Sequence, residues 1–296
     1  MGRCAVQGYN QSHQPVPAFQ PAQRMSVRQR NNVTISGRGA TTAVFLHGFG
    51  CDQAVWRFML PAFEARYRIL AFDLVGSGDS DLSAYDRTKY NTLQGYVDDL
   101  LEVIAECADG PVVFIGHSVS AIIGMLAGIQ APERFLAQVM LSPSPCYINN
   151  TDYRGGFTRH DIDELLDTMD ANYLGWSSNV APIIMGAPDA PALTVELTNK
   201  FCRNDPDIAR HFARVGFTAD HRADLPRVRV PTLVVQASDD VLAPLDVGDY
   251  MHRHMPGSRL SVVRNIGHCP HMSAPEASTR AVLDFLDALG VAEHRA

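Results

Sequence analysis

The chain has 296 residues, of which 46% are hydrophobic, and a formal net charge of -7 from 32 acidic and 25 basic side chains. A chain of this size can bury one substantial core, and its charge balance and lack of basic runs argue against nucleic acid as a partner. No apolar stretch approaches the roughly 20 residues of a membrane-spanning helix, and six cysteines without paired spacing indicate reduced thiols in a cytoplasmic protein with no membrane partner.

Residues 1–24 differ in composition from the rest of the chain. The stretch QGYNQSHQPVPAFQPAQR is rich in Gln and Pro and has no hydrophobic periodicity, so we expect residues 1–24 to form a disordered tail. Its arginines and lack of acidic residues also suit an organelle transit peptide. Pro15, Pro17 and Pro21 would nevertheless break the amphipathic helix that such a peptide needs. The folded part is therefore expected to begin at Met25, which is also an alternative start of the protein.

Short apolar runs alternate with helical patterns along most of the chain. The expected strands are 43–46, 68–72, 112–115, 138–141, 232–235 and 260–263. The expected helices are 54–63, 93–105, 118–130, 245–254 and 275–289. Most strand runs are continuous rather than alternating, which is typical of parallel strands buried on both faces. The order predicts an α/β fold with a mostly parallel, doubly wound sheet and reactive groups at the carboxyl ends of its strands.

The alternation of strands and helices stops between about residues 145 and 224. This segment has no convincing strand and shows helical patterns at about 160–173, 177–185, 191–202 and 206–215. The sequence thus predicts a helical lid of residues 145–224, inserted before the last two strands. The core domain would consist of residues 25–144 and 225–296, and the lid would cover the carboxyl edge of its sheet.

The stretch FIGHSVSAIIGM places Ser118 directly after an expected strand and at the start of an expected helix. Gly116 and Ser120 flank it, and small residues at these two positions allow the sharp turn that exposes a nucleophilic serine. Glycine is more usual than serine at the later position, although a hydroxymethyl group is still small. The alternative is a turn or N-cap serine. We favour a nucleophile, which requires a base and an acid from elsewhere in the chain.

Two further strand ends supply candidate partners for Ser118. In VVQASDDVLAP, Asp240 stands four residues before a proline, as the acid does in a common loop pattern, and Asp239 is interpreted as a solvated turn residue. In NIGHCPHMSAPE, His268 is the candidate base and His271 is its rival. The resulting order Ser, Asp, His is one of the known orders of a catalytic triad. HCPH is only a weak zinc signature, because paired ligands are missing elsewhere, so no metal is predicted.

A triad also needs N–H donors for the oxyanion of its tetrahedral intermediate. One donor is expected to be the backbone N–H of Val119, next to the nucleophile at a helix start. The other is expected from Phe49 in FLHGFGCDQ, since the preceding Gly48 leaves the backbone free to aim this N–H inward. HGFG lacks the spacing of a dinucleotide-binding loop, and no cofactor is predicted.

HGFG, GHSVS, SDD with its later proline, and GHCPHMSAPE occur in the order of the α/β-hydrolase fold, and the likeness spans nearly all of the chain after Met25. GFGCDQAVW, VGSGDSDLSAYD, SPSPCYIN, NYLGW and FTADHRADL further resemble the RsbQ branch, bacterial relatives of the plant karrikin and strigolactone receptors. The resemblance implies a triad, a helical lid over a closed apolar pocket, no metal and no cofactor. RsbQ-like proteins take part in bacterial stress signalling, and their plant relatives are hormone receptors that hydrolyse their ligands slowly.

Aromatic side chains in the lid segment are expected to line the pocket, although each has the alternative of packing against the core. These side chains are Phe157, Trp176, Phe201 and Phe217. An apolar lining favours a small hydrophobic ester or lactone over a charged acyl carrier. The sequence therefore predicts a serine hydrolase that forms an acyl-serine. The alternative is a signalling protein that binds and slowly hydrolyses a small hydrophobic ligand and acts through a protein partner at the lid.

Overall fold

A single sheet forms the centre of the molecule in a computed structural model that describes residues 25–291. The strands are β1 Thr34–Gly37, β2 Thr42–Leu46, β3 Arg68–Phe72, β4 Val112–His117, β5 Phe135–Leu141, β6 Thr232–Asp239 and β7 Arg259–Ile266. They lie in the order β1-β3-β2-β4-β5-β6-β7. β2 to β7 are parallel, whereas β1 pairs antiparallel with β3 at one edge. The prediction of an α/β fold with a mostly parallel sheet is confirmed, and the expectations for residues 1–24 and 292–296 lie outside the described range.

Helices connect these strands. They are α1 Val27–Arg30, α2 Leu60–Phe63, α3 Gln94–Cys107, α4 Val119–Gln130, α5 Arg159–Ala171, α6 Tyr173–Met185, α7 Pro191–Arg203, α8 Pro206–Thr218, α9 Leu245–His254, α10 Pro270–Ser273 and α11 Pro275–Ala288. Short 3-10 turns occupy Gln53–Trp56, Leu82–Ala84, Pro132–Arg134 and Arg222–Arg227. None of the described helices combines the length and apolar character needed to cross a membrane.

Local signals in the sequence explain where the four helices between β5 and β6 begin and end; we call α5 to α8 the cap helices. α5 starts at a capping box, in which Thr158 and Asp161 bond each other's backbone N–H. α6 ends at Gly186, whose φ of 63° is the left-handed conformation that glycine adopts without a steric cost. α8 starts with proline, and the carboxylate of Asp205 accepts from the backbone N–H of Asp207 and Ile208.

The core lies on both faces of the sheet, because successive residues of the buried strands point in opposite directions. On β2, Phe45 packs into one buried cluster and Val44 and Leu46 pack into the other. On β4, Ile115 and Phe114 divide between the clusters in the same way. All residues of β2 and β4 are buried, so the sheet carries its carboxyl-end loops on rigid central strands.

Two local features differ from the sequence-based expectation. β1 was not predicted, because the sequence TISG has no apolar run and the strand sits on the edge with most of its side chains exposed. The expected helix over 54–63 is two pieces, a 3-10 turn and α2. Pro61 explains the break, since proline has no N–H to continue an upstream helix and is tolerated only in a first turn.

Candidate active site

Ser118 lies in the sharp turn that joins β4 to α4. Its backbone has φ 57° and ψ -123°, a conformation that a non-glycine residue rarely adopts and that is typical of a nucleophile elbow. The turn is held because the N–H of Ser118 donates to the carbonyl of Leu141, at 2.8 Å. Glycine is required at 116, since a Cβ there would lie 2.7 Å from the carbonyl oxygen of Ser120. The strained turn therefore follows from small residues at defined positions.

The structure brings Ser118, His268 and Asp240 into one hydrogen-bonded chain. The His268 Nδ1–H donates to Oδ2 of Asp240 at 2.7 Å, which leaves Nε2 as an acceptor. Ser118 Oγ lies 2.7 Å from that Nε2 and donates to it. All three side chains are buried, so water does not compete for these bonds. A hydroxyl in this setting can lose its proton to the imidazole as it attacks an electrophile.

The two adjacent aspartates after β6 have different surroundings. Asp240 Oδ1 accepts from the backbone N–H of Leu242 at 2.9 Å and of Ala243 at 3.1 Å. Burial alone would raise the pKa of the Asp240 carboxyl, but the nearby His268 and these two amides outweigh burial and hold the pKa below its ordinary value. Asp239 is exposed and accepts a hydrogen bond from its neighbour Ser238.

His271 does not contact Ser118 through a hydrogen bond. Its ring packs between Trp56, at 4.7 Å between centroids, and His117, at 4.3 Å. Neither of its ring nitrogens has a hydrogen-bond partner among the described residues, and burial holds the pKa of His271 well below its ordinary value. Within residues 25–291 there is no group of three or more His, Cys, Asp or Glu that could hold a metal ion.

The two expected oxyanion donors lie at the start of α4 and on the loop after β2. Val119 is the first residue of α4, where a backbone N–H has no partner within the helix. The loop after β2 carries Phe49, whose N–H has no acceptor among the described residues. This loop passes directly against the elbow, because a Cβ added to Gly48 would lie 3.2 Å from the Cβ of Ser118. Both residues therefore belong to segments next to the elbow: Val119 follows Ser118 in the chain, and Phe49 follows Gly48.

A mainly apolar cavity lies over Ser118 and is lined by the core on one side and the cap helices on the other. The cavity and its opening enclose about 520 Å³ that protein atoms do not fill. Phe201 of α7 and Phe217 of α8 line it, as does Phe49 from below. Each of these two cap rings lies close to Phe49, at 5.8 and 6.2 Å between centroids. Phe201 and Phe217, two of the residues predicted to line the pocket, therefore form part of the cavity wall.

Two of the expected pocket rings lie outside this wall. Trp176 is not among the described residues that line the cavity; its ring stacks behind Phe201, with centroids 6.0 Å apart and planes inclined by 10°. Phe157 does not line it either and packs against Tyr147, at 6.5 Å between centroids. Both rings therefore support the wall from behind in this structure.

Tyr147 is a lining residue that the sequence reasoning did not assign. It lines the cavity together with Ser118, and burial raises the pKa of Tyr147 to about 12, so that the phenol remains protonated at neutral pH. Phe212, Leu242 and Ile184 also line the cavity without having been assigned. The position of Tyr147 in the segment after β5 could have indicated that it lines the site. β5 pairs with β4, so both strands end at the same edge of the sheet.

A family model described as the alpha/beta hydrolase family matches residues 43–281, which is more than half of the chain. The chain belongs to the alpha/beta hydrolase family. This membership confirms the resemblance that the four motifs indicated. It also agrees with the position of the elbow at the end of a central parallel strand.

This α/β hydrolase is similar both to proteins named as an esterase or hydrolase and to a protein named as a receptor. It is 38% identical over 252 residues to a probable esterase of Oryza sativa subsp. japonica, covering 84% of this chain and 93% of the relative. It is 37% identical over 251 residues to the karrikin insensitive 2 receptor CA of Petunia hybrida, covering 84% and 93%. A solved hydrolase structure from Oleispira antarctica is 41% identical with a TM-score of 0.86, covering 88% of this chain and 96% of the other. The predicted kinship with plant karrikin receptors is confirmed.

Proposed function

We propose that this α/β hydrolase cleaves small apolar carboxylic esters or lactones through an acyl-serine intermediate. The observation that carries the proposal is the hydrogen-bonded chain Ser118–His268–Asp240 at the floor of a mainly apolar cavity. A buried serine that donates to an oriented imidazole is poised for acyl transfer. The likeness to a probable esterase of Oryza sativa supports the same chemistry.

The proposed reaction uses side chains and backbone N–H groups of this chain and one water molecule. Ser118 Oγ attacks the ester carbonyl carbon while its proton passes to Nε2 of His268, and Asp240 stabilises the resulting imidazolium. The N–H groups of Phe49 and Val119 donate to the oxyanion. The intermediate collapses as the imidazolium protonates the leaving alkoxide. Water then attacks the acyl carbon and gives its proton to the imidazole. The second tetrahedral intermediate collapses as the imidazolium returns this proton to Ser118 Oγ, which releases the acid and the free serine.

The surroundings of the cavity favour a small uncharged substrate. The lining is mainly apolar, and the cap residue Lys200, which could have received an anionic group, is held by Asp52 at 2.6 Å. An apolar wall selects by shape and buried area, with orientation left to the few polar groups near Ser118. Esters and lactones with short acyl chains meet these conditions.

The alternative function is that of a signalling protein which binds and slowly hydrolyses a small hydrophobic ligand and acts through a protein partner at the cap helices. The relationship to a Petunia receptor favours it. So do three apolar side chains on α6 and α7, Leu174, Ile183 and Val195, each more than half exposed. Both functions use Ser118, His268 and Asp240, so these side chains do not distinguish the two. The number of turnovers per protein molecule does.

Replacing Ser118 by Ala tests the nucleophile. We expect Ser118→Ala to abolish hydrolysis of p-nitrophenyl acetate and labelling by a fluorophosphonate, with an unchanged melting temperature. Ser178→Ala is the matched control, because this serine of α6 is exposed and its hydroxyl donates to the Leu174 carbonyl. Near wild-type turnover in Ser118→Ala would assign the nucleophile elsewhere. With the wild type, many turnovers on a panel of p-nitrophenyl esters and small lactones support an enzyme, whereas one slow burst per molecule supports the signalling alternative.

A further inference from the structure

Ser120 links the nucleophile elbow to the loop that carries Phe49. Its side chain is completely buried, and its hydroxyl donates to the backbone carbonyl of His47. His47 directly follows β2, and Ser120 is the second residue of α4. We propose that Ser120 is a positioning residue, whose hydroxyl fixes the oxyanion donor Phe49 N–H relative to the donor Val119 N–H. The inference rests on the proposed acyl-serine function.

The sheet brings the two donors near each other but does not set their separation. In the pairing of β2 with β4, Leu46 lies opposite Gly116. Phe49 and Val119 each stand three residues beyond this pair, at the point where both chains have left the sheet. No ladder bond joins the two segments there, and the hydroxyl of Ser120 spans the gap between them.

The other side of the same loop is held by the ring of His47. Its Nε2 accepts from the backbone N–H of Leu74 at 3.1 Å, so the ring carries its proton on Nδ1. That Nδ1–H donates to the carbonyl of Gly48 at 2.8 Å. The ring therefore ties the loop to the segment after β3, whereas Ser120 ties it to α4. Loss of the Ser120 hydroxyl would remove the tie to α4 and leave the tie through the ring.

The loop that carries Phe49 packs closely against the nucleophile elbow. A Cβ added to Gly48 would lie 2.6 Å from Nδ1 of His117 and 3.2 Å from the Cβ of Ser118. A shift of the loop thus changes the distance from the Phe49 N–H to the oxyanion oxygen to which it is proposed to donate. Because the oxyanion forms only during the reaction, this shift acts on kcat and on tetrahedral adducts rather than on substrate binding.

The test compares Ser120→Ala with the wild type on p-nitrophenyl acetate and with methylboronic acid, which forms a tetrahedral adduct with Ser118. We expect kcat and boronic acid affinity each to fall by about tenfold or more, short of the roughly 10²- to 10³-fold loss when a donor is removed. We expect KM to stay within about twofold, since ground-state binding does not use the oxyanion. Ser120→Gly also removes the hydroxyl and should give the same result, which keeps the test decisive if the alanine variant folds poorly.

Ser258→Ala is the matched control, because this buried serine donates to the carbonyl of Met255 at 2.9 Å, just before β7 and away from the elbow. It should lower stability without changing kcat or boronic acid affinity. If both Ser120 variants fold and keep kcat and boronic acid affinity within twofold of the wild type, the inference is overturned and Ser120 is only a small residue in a tight turn. If the wild type shows no hydrolysis that depends on Ser118, the proposed function itself fails.

Discussion

At the scale of single residues, the contrast between Asp239 and Asp240 shows how neighbours in sequence acquire different properties. The Asp240 carboxylate receives two backbone N–H bonds and the His268 ring, whereas Asp239 points into solvent. The proposed role of Asp240 is to hold the His268 ring with Nε2 free for the serine proton. An amide in its place can present its NH₂ to the ring and stabilise the opposite tautomer.

Asp240→Asn is therefore expected to lower kcat by about 10⁴-fold, the size of the loss when a triad acid is replaced and the histidine takes the wrong tautomer. Asp239→Asn is the matched control and is expected to change kcat by less than about threefold, as an exposed substitution away from the reacting atoms should. Steady-state kinetics on p-nitrophenyl acetate measure both. The reverse ranking of the two variants would move the acid to Asp239.

At the scale of elements, the cap helices present one layer of rings to the cavity and a second layer behind it. Phe217 of α8 belongs to the first layer and contacts Tyr147, at 5.1 Å between centroids. Trp176 of α6 belongs to the second layer, where its indole supports Phe201. Truncation in the first layer adds volume to the cavity, whereas truncation in the second layer removes support from the wall.

Phe217→Ala is expected to broaden the acyl-chain preference. Each methylene that becomes buried contributes about 0.8 kcal/mol, so two more accommodated carbons raise the kcat/KM of longer esters relative to acetyl by roughly tenfold. Trp176→Ala is expected instead to destabilise the fold by about 3–5 kcal/mol and to slow all chain lengths alike. Values of kcat/KM from acetyl to octanoyl esters, with urea unfolding, separate the two. Parallel profiles for Phe217→Ala would exclude its ring as the limit on chain length.

At the scale of the whole molecule, three buried histidines make the fold sensitive to acid. His47, His117 and His271 are all buried, and burial lowers the pKa of each ring, in the case of His117 to about 3. Below about pH 6.5 the unfolded chain binds a proton at each of these rings more readily than the folded protein does. The unfolded state thus binds more protons, and the free energy of unfolding falls as the pH falls.

We expect this loss to begin near pH 6.5 and to approach about 1.4 kcal/mol per pH unit for His117, with His47 and His271 adding to it in the same direction. Urea unfolding at pH 7.5, 6.5, 5.5 and 5.0 measures it. His271→Phe should reduce the slope, since the ring stacks on Trp56 and neither ring nitrogen has a partner among the described residues. An unchanged slope in this variant would contradict protonation of His271 on unfolding.

The sequence by itself determined the features that depend on local backbone rules. Continuous apolar runs predicted β2 and β4 as strands buried on two faces, and small residues around Ser118 predicted the strained elbow. These features can be predicted because burial on both faces of a sheet requires a continuous apolar run, and a sharp turn requires small residues at fixed positions around the serine. The edge strand β1 was not predicted, because an exposed strand needs no apolar pattern.

Only the tertiary structure decided which side chains meet at the cavity. Trp176 and Phe201 are both buried aromatic residues of the cap helices, yet Phe201 lines the cavity and Trp176 stands behind it. Tyr147 lines the same cavity as Ser118 because β5 pairs with β4, which brings together residues far apart in the chain. Local sequence patterns indicate that a residue is buried. Whether that residue lines a cavity depends on how helices and strands from separate parts of the chain pack together, and the spacing of residues within one segment does not determine this packing.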